Sequence, residues 1–269
     1  MSNGSAVTAA LSESALRAAL ALHGEWSGLT TVMASTGSTN DDARRAAAEG
    51  APDGSVFVAD RQEAGRGQRG RKWEAEPGDA LLFSCVFRPQ IAAHALPPLS
   101  LVVGSVIAER IACWAPRDAA HVGVKWPNDV YVGGRKLAGI LVEAQITGQA
   151  VSSIVVGVGV NVRPPAPAAE VRVRAISLEE LGMTGAREPL LAQLLHDLRS
   201  AVRRSESAGF APFLPALRAR DVARGRAVLV DGVPSVAAGI ADNGQLRVCA
   251  DGCERVISSG DVAFVLDPL

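Results

Sequence analysis

A chain of 269 residues, 48% of them hydrophobic and 20% charged, can bury one large core, or one large and one small. Its 27 lysines and arginines nearly balance 28 acidic residues, leaving a net charge of −1, which argues against a protein that lives on nucleic acid phosphates. Cys249 and Cys253 could suggest half a metal site, but no second pair or nearby histidine accompanies them, and the histidines fall at no ligand spacing. The start does not read as a signal peptide and no apolar run reaches membrane length, so free thiols in a reducing cytoplasm are expected.

Residues 1–28 read as an extension with a short helix near Ser14–Leu22, too short for a helix-turn-helix domain. A strand begins at Leu29–Met33 and runs into GSTN. Asn40–Glu49 reads as a helix: Ser38 or Thr39 caps it, Asp41 and Asp42 occupy its first turn, and Gly50 follows its end. Val56–Asp60 and Ala80–Arg88 are apolar strands on either side of GRGQRGRKW (Gly65–Trp73). Leu99–Cys113 is apolar around most of its circumference and predicts a buried helix. Val122–Lys125 is a strand leading into WPND. Asp129–Val132 and Lys136–Ala144 form a hairpin about Gly133-Gly134. Ser152–Val160 is a further strand, ending at Asn161. A Pro/Ala loop (Arg163–Glu170) and two helices near Leu190–Arg204 and Phe210–Ala219 follow.

Beyond a boundary near Ala223–Gly225 the pattern changes. Short β runs at Arg226–Val230, Val236–Ile240, Gln245–Ala250, Cys253–Ser258 and Val262–Leu266 alternate with DG, DNG, DG and SG turns. That spacing predicts a small all-β barrel over 224–269, after a mixed strand-and-helix domain over 29–223.

Four constellations could carry chemistry. GRGQRGRKW packs three arginines, a lysine and three glycines into one loop closed by Trp73. Glycines let backbone N–H groups approach an anion, and arginines fork onto carboxylate or phosphate. A lid over one small anion, a solvated basic turn and an RNA-binding segment all fit this stretch alone. KWPNDV followed by GGRKLAGILVE brings Lys125, Asn128, Asp129 and Lys136 to one place, and a lysine beside buried strands is costly unless it meets an anion. The plain alternative is a surface lysine at a hairpin mouth. In GVGVN the alternating glycines suggest close approach by something flat, or simple packing on a helix. GSTN is either plain helix capping or a grip on a small polar ring. Neither GxGxxG nor GxxxxGK[ST] occurs, so any nucleotide is bound without those loops.

In order along the chain stand S-T-N, Q-x-x-G-R-G-x-x-G-R-x-W, K-W-P-N-D, G-x-K-x-x-G-I-L-V-E, G-x-G-x-N and a β tail. From about Thr31 onward this series resembles the biotin protein ligases. The resemblance implies an α/β (α+β-like) catalytic domain with a mixed sheet flanked by helices, followed by a small SH3-like barrel. It implies that biotin and MgATP give biotinyl-5′-AMP and pyrophosphate, and that the biotinyl group passes to one lysine of a biotin carboxyl carrier domain of an acyl-CoA carboxylase. Ser38, Thr39, Asn40, Gln62, Gly65, Arg66, Gly67 and Gln68 match the biotin-binding segments. Lys136 matches the lysine near the biotin carboxylate, and Lys136 with Arg69 is expected to be catalytic. Arg69, Arg71, Trp73, Asn128 and Asn161 are expected on the ATP and adenylate side, and Asp129 as a candidate for organising Mg²⁺. The loop is expected to be mobile alone and to order over the adenylate.

Two departures stand out. Many relatives carry arginine where this chain has Gln68, so Arg69 or Arg71 must cover that contact, or the intermediate is held more weakly. Some relatives also carry an N-terminal DNA-binding domain; here about 30 residues precede the first strand, so the monofunctional class is expected, with neither DNA nor membrane as a partner. The rivals are a lipoate ligase, whose family shares the architecture but typically lacks the GRGxxGR and KWPND runs, a non-catalytic adaptor, and an RNA-binding protein.

Overall fold

Strand Ala80–Phe87 is buried along its whole length, so something must cover both faces of the sheet that contains it. The computed structural model describes residues 10–116, 121–148, 150–164 and 174–265; the expected Pro/Ala loop lies, from residue 165, outside the described residues, as do the chain ends at 1–9 and 266–269. Within them the larger sheet comprises β1 (Thr30–Thr36), β2 (Val56–Gln62), β3 (Ala80–Phe87), β4 (Val122–Lys125), β5 (Asp129–Val132), β6 (Arg135–Thr147) and β7 (Ala150–Asn161). Its order is β1-β2-β3-β7-β6-β5-β4. β1 and β2 run parallel and every other neighbouring pair antiparallel, so the sheet is mixed.

The helices are α1 (Glu13–Ala21), α2 (Thr39–Ala48), α3 (Leu99–Trp114), α4 (Arg187–Ala208) and α5 (Leu214–Ala219). Alternation along the strands sends Phe57, Val86 and Val155 toward Ala43 and Ala47 of α2. Val56, Val58, Phe83, Cys85 and Val156 join the larger core with α1, α3 and α4 on the other face. α3 is buried nearly all round, as its composition predicts; a side chain at Gly104 would meet Val124 Cγ1 at 3.5 Å.

The elements match the expected ones closely, and several run longer, among them α4, β6, β7 and the strand expected at Val236–Ile240, which begins at Val233. α4 begins at Arg187, whose guanidinium is buried and donates to Asp60 Oδ1 at 2.6 Å, fixing the helix start in the core. β6 and β7 continue past the apolar pattern because they pair with each other out to Thr147 and Ala150, which satisfies their backbone groups without burial.

The chain leaves the larger sheet along β4. Val124 N donates to Arg220 O at 2.7 Å and Val222 N to Val124 O at 3.1 Å, and Gly123 leaves room for this close approach: a Cβ there would lie 2.3 Å from Val222 Cγ1. There follow β8 (Ala227–Val230), β9 (Val233–Ile240), β10 (Leu246–Ala250), β11 (Cys253–Ile257) and β12 (Val262–Phe264), one antiparallel sheet in the order β11-β10-β9-β8-β12. It docks on the KWPND end of the larger sheet, where Trp126 Nε1 donates to Gly244 O at 3.0 Å. Among the described residues no helix is long and apolar enough to cross a membrane.

Candidate active site

On the α2 side of the larger sheet one registered row crosses six strands: Ala59, Leu82, Gly159, Gly139, Asp129 and Lys125. Opposed residues in antiparallel pairs share a face, so this spacing alone puts Asp129 and Lys125 in line with the two glycines. A second row runs Phe57, Ser84, Gly157, Leu141. The glycines remove side chains from the middle of both rows and open a trough.

The indole of Trp73 lies in that trough. A Cβ on Gly159 would sit 2.6 Å from Trp73 Cε2, and one on Gly139 2.9 Å from Cζ3. Something flat does approach GVGVN closely, and it is a side chain of the arginine loop. At Gly157 the close neighbour is Asn40, whose Oδ1 would be 1.9 Å from an added Cβ.

One wall of the pocket is the start of α2. Ser38 is the N-cap residue, but its hydroxyl makes no capping bond. Gln62 does that work: its Oε1 accepts from Thr39 N at 2.8 Å and Thr39 Oγ1 at 3.0 Å. Ser84 Oγ donates toward Thr39 Oγ1 (2.8 Å) and Asn40 Oδ1 (2.6 Å), and Asn40 Nδ2 donates to Glu143 Oε2 at 2.7 Å. Ser38, Thr39 and Asn40 are all buried. The result is a fixed polar wall with Gln62 Nε2 and Ser38 Oγ available to a ligand.

The opposite wall is cationic. Arg66, Arg69, Arg71, Lys72, Lys125 and Lys136 line the pocket, against the carboxylates of Asp129 and Asp261. Lys136 Nζ stands 2.7 Å from Asp129 Oδ1 and 5.5 Å from the Trp73 ring centre. Lys125 is buried; its Nζ donates to Val262 O of β12 and lies 5.2 Å from the Tyr131 ring centre. Burial pushes this ammonium below the ordinary lysine range, with the charge of Asp129 opposing.

The arginine loop folds back on itself, with Trp73 N donating to Gly65 O at 2.9 Å and Gly67 N to Arg71 O at 2.7 Å. Each of its arginines meets a carboxylate from elsewhere. Arg66 forks onto Asp41 of α2 at 2.6 and 2.7 Å. Arg69, in the left-handed region at φ 58°, reaches Asp231 at 2.8 Å, and Arg71 pairs with Asp261. The two carboxylate residues are themselves joined, Asp261 N donating to Asp231 Oδ1 at 2.7 Å. Arg66 holds the Asp41 carboxyl below its ordinary range, and Asp41 raises Arg66 in turn.

Thus Ser38, Thr39, Asn40, Gln62, Arg66, Gly67, Gln68, Arg69, Arg71, Trp73, Asn128, Asp129 and Lys136 come together around one pocket. Gly65 stands behind it, where an added Cβ would lie 2.4 Å from the Trp73 carbonyl oxygen. Asn161 does not face the pocket: its Nδ2 donates to Lys136 O (3.2 Å) and Ile176 O (3.1 Å), so it holds the backbone that carries the lysine. Asn128 lines the pocket while its Nδ2 is spent on Ile140 O at 2.7 Å. Ser84 and Glu143 join the site although neither is among the site residues expected from the sequence. A serine inside ALLFSCVFR and a glutamate ending GILVE were the available signals, since each interrupts an apolar run. Nothing local marked Asp231 or Asp261.

The profile of the Biotin/lipoate A/B protein ligase family matches residues 32–161. A biotin--[acetyl-CoA-carboxylase] ligase of Mycobacterium tuberculosis is 37% identical over 243 residues, which span 87% of this chain and 88% of that protein. The bifunctional ligase/repressor BirA of Salmonella typhimurium is 37% identical over 218 residues, 78% of this chain and 67% of that protein. Among solved structures, the biotin protein ligase from Aquifex aeolicus in complex with biotin and ATP superposes with a TM-score of 0.74 at 25% identity, covering 89% of this chain and 99% of that one.

Proposed function

We propose, from the premise that the chain belongs to the biotin/lipoate A/B protein ligase family, a residue-level account of its pocket. The chain is a ligase: it activates biotin with ATP to biotinyl-5′-AMP and transfers the biotinyl group to a lysine of acetyl-CoA carboxylase. The observation that carries the account is Lys136 on the floor of a pocket walled by neutral donors and acceptors on one side and by cations on the other.

The uncharged ring of biotin fits the wall of Ser38, Thr39, Asn40 and Gln62, which offers hydroxyls and an amide held at fixed angles. Its carboxylate then points along the trough toward Lys136. Attack by a carboxylate on the α-phosphorus brings two anions together. A cation fixed between them relieves that repulsion and costs little reorganisation, because Asp129 already holds it. Arg69 and Arg71 exchange their exposed carboxylate partners for phosphate oxygens, and Arg66, Gly67 and Gln68 close over the adenylate. Asn161 acts as a positioning residue for Lys136, and Asn128 for the turn before Asp129. Trp73 packs on the glycine floor and excludes water from the acyl phosphate.

Asp129 is a poor dedicated metal ligand, since its carboxylate is already engaged by Lys136. Among the described residues no group of three metal-binding side chains forms. Mg²⁺ suits this site as part of the nucleotide, held by phosphates and water.

We further infer a folding boundary near 223/224, closure of the five C-terminal strands in the SH3-like manner, and a biotin carboxyl carrier domain as the immediate acceptor. A cytoplasmic setting is supported by the four free cysteines, and the absence of a DNA partner by the near-zero net charge. The test is transfer itself. Purified chain, biotin, MgATP and an isolated carrier domain should yield carrier heavier by one biotinyl group at its lysine. Carrier that stays unmodified under these conditions would reject the reading.

A further inference from the structure

We propose that Lys125 binds the β- and γ-phosphates of the nucleotide and stabilises the departing pyrophosphate. The proposal rests on the ligase reading above and adds a residue and a subsite to it.

Lys125 is only 6% exposed, yet it lines the pocket. A buried ammonium is costly unless it is paired. Among the described residues no carboxylate comes within ion-pair reach of its Nζ, although Asp129 lies directly across the strand pair. Asp129 instead gives its Oδ1 to Lys136. Lys125 has one carbonyl, Val262 O, and the faces of Tyr131 and Phe264 at 5.2 and 5.6 Å. An ammonium has three donors, so that carbonyl leaves two of them for a ligand.

The charge balance of the pocket points to the kind of ligand. Six cationic side chains line the pocket. Asp41, Asp231, Asp261 and Asp129 pair with Arg66, Arg69, Arg71 and Lys136, which leaves Lys72 and Lys125 without a carboxylate among the described residues. A biotin carboxylate needs one cation, so the surplus suits a polyphosphate. The location selects the outer phosphates. Lys125 lies at the β4 end of the glycine row, beyond Asp129 and against β12, while the wall for the neutral ring lies at the β2 and β3 end. In the adenylation step the carboxylate oxygen forms a bond to the α-phosphorus. The bond from that phosphorus to the bridging oxygen breaks, and its electron pair leaves on pyrophosphate. A cation beyond the α-phosphate meets the charge where it accumulates.

Calorimetric titrations of the full chain with MgATP, pyrophosphate, AMP and biotin, on wild type, Lys125→Met and Lys125→Arg, test this. In Lys125→Met, MgATP and pyrophosphate affinity should fall roughly tenfold to a hundredfold, the loss expected for a charge-assisted hydrogen bond. AMP and biotin should bind as before, and Lys125→Arg should recover most of the loss. Undiminished MgATP affinity in Lys125→Met, or equal loss of all four ligands, would overturn the assignment. A second measurement needs no variant: acetic anhydride labelling of Lys125 in the wild type should be slowed by pyrophosphate and not by adenosine. Unchanged labelling under saturating pyrophosphate would overturn it as well. Failure of the ligase reading has a separate signature, wild-type protein that binds MgATP but releases no pyrophosphate with biotin.

Discussion

The ammonium of Lys136 stands 2.7 Å from Oδ1 of Asp129, and the two arrive from neighbouring strands through a register shift between Val130 and Tyr131. The shift sets Lys136, three residues from Gly139 on the partner strand, opposite Tyr131, on the face that carries Asp129 and the glycine row. Removing the ammonium in Lys136→Ala should slow biotinyl-adenylate formation by about 10²–10³-fold, the scale of losing one fixed charge stabiliser. Single-turnover kinetics would show whether chemistry or biotin binding is lost. Asp129→Asn should lower the rate less, since the lysine stays but its aim loosens.

The glycine floor gives a steric prediction. A methyl at Gly157 would occupy the place of Asn40 Oδ1, and Asn40 is buried and bonded to Ser84 and Glu143. Gly157→Ala should therefore raise the KM for biotin more than that for ATP. Overpacking should also lower stability by about 1–3 kcal/mol. Steady-state kinetics with each substrate varied, and a thermal melt, would check both.

Asp41 carries a pH signature. Arg66 holds its carboxyl below the ordinary range, largely through the forked hydrogen bond. A depressed folded-state value means the clamp contributes fully above about pH 4, the unfolded carboxylate range, and is lost as pH falls through the lower folded value. The protection of amides in residues 65–73 against hydrogen exchange, taken relative to the intrinsic rate at each pH, should fall on acidification in wild type. In Asp41→Asn that protection should already be low at neutral pH and change little on acidification.

Arg69 and Arg71 are tied to Asp231 and Asp261, all four side chains being well exposed. Such pairs exchange readily for a better anion. The double change Asp231→Asn with Asp261→Asn should leave the melting temperature nearly unchanged and make the loop easier to cleave in the absence of nucleotide. MgATP should restore protection. A loop equally resistant in both proteins would argue against the tether.

Gln68 lines the pocket without contributing a charge. Gln68→Arg should tighten retention of biotinyl-5′-AMP, seen as slower release of the free intermediate. Equal or faster release would count against a phosphate-facing position for this residue.

The order of elements and the gathering of STN, the arginine loop, KWPND and Lys136 were legible in the sequence because each element has its own periodicity and punctuation. The row that aligns Gly159, Gly139, Asp129 and Lys125 was not. It follows from the order β7-β6-β5-β4 and from register, which pairwise contacts across the sheet decide. The partners of the loop arginines were hidden for a related reason. Asp231 and Asp261 are ordinary turn residues until the C-terminal sheet docks beside the loop. Asn161 shows the converse case, a motif residue whose amide supports Lys136 from behind and does not touch the pocket.

The central claim is that this pocket adenylates biotin with Lys136 at the reacting centre. Its most direct test is pyrophosphate release from MgATP by the full chain, measured with biotin, with lipoate and with neither, on wild type and on Lys136→Ala. The account predicts release that depends on biotin, is weak or absent with lipoate, and collapses in the variant while the fold persists. Release that favours lipoate, that needs neither acid, or that survives in Lys136→Ala would contradict it.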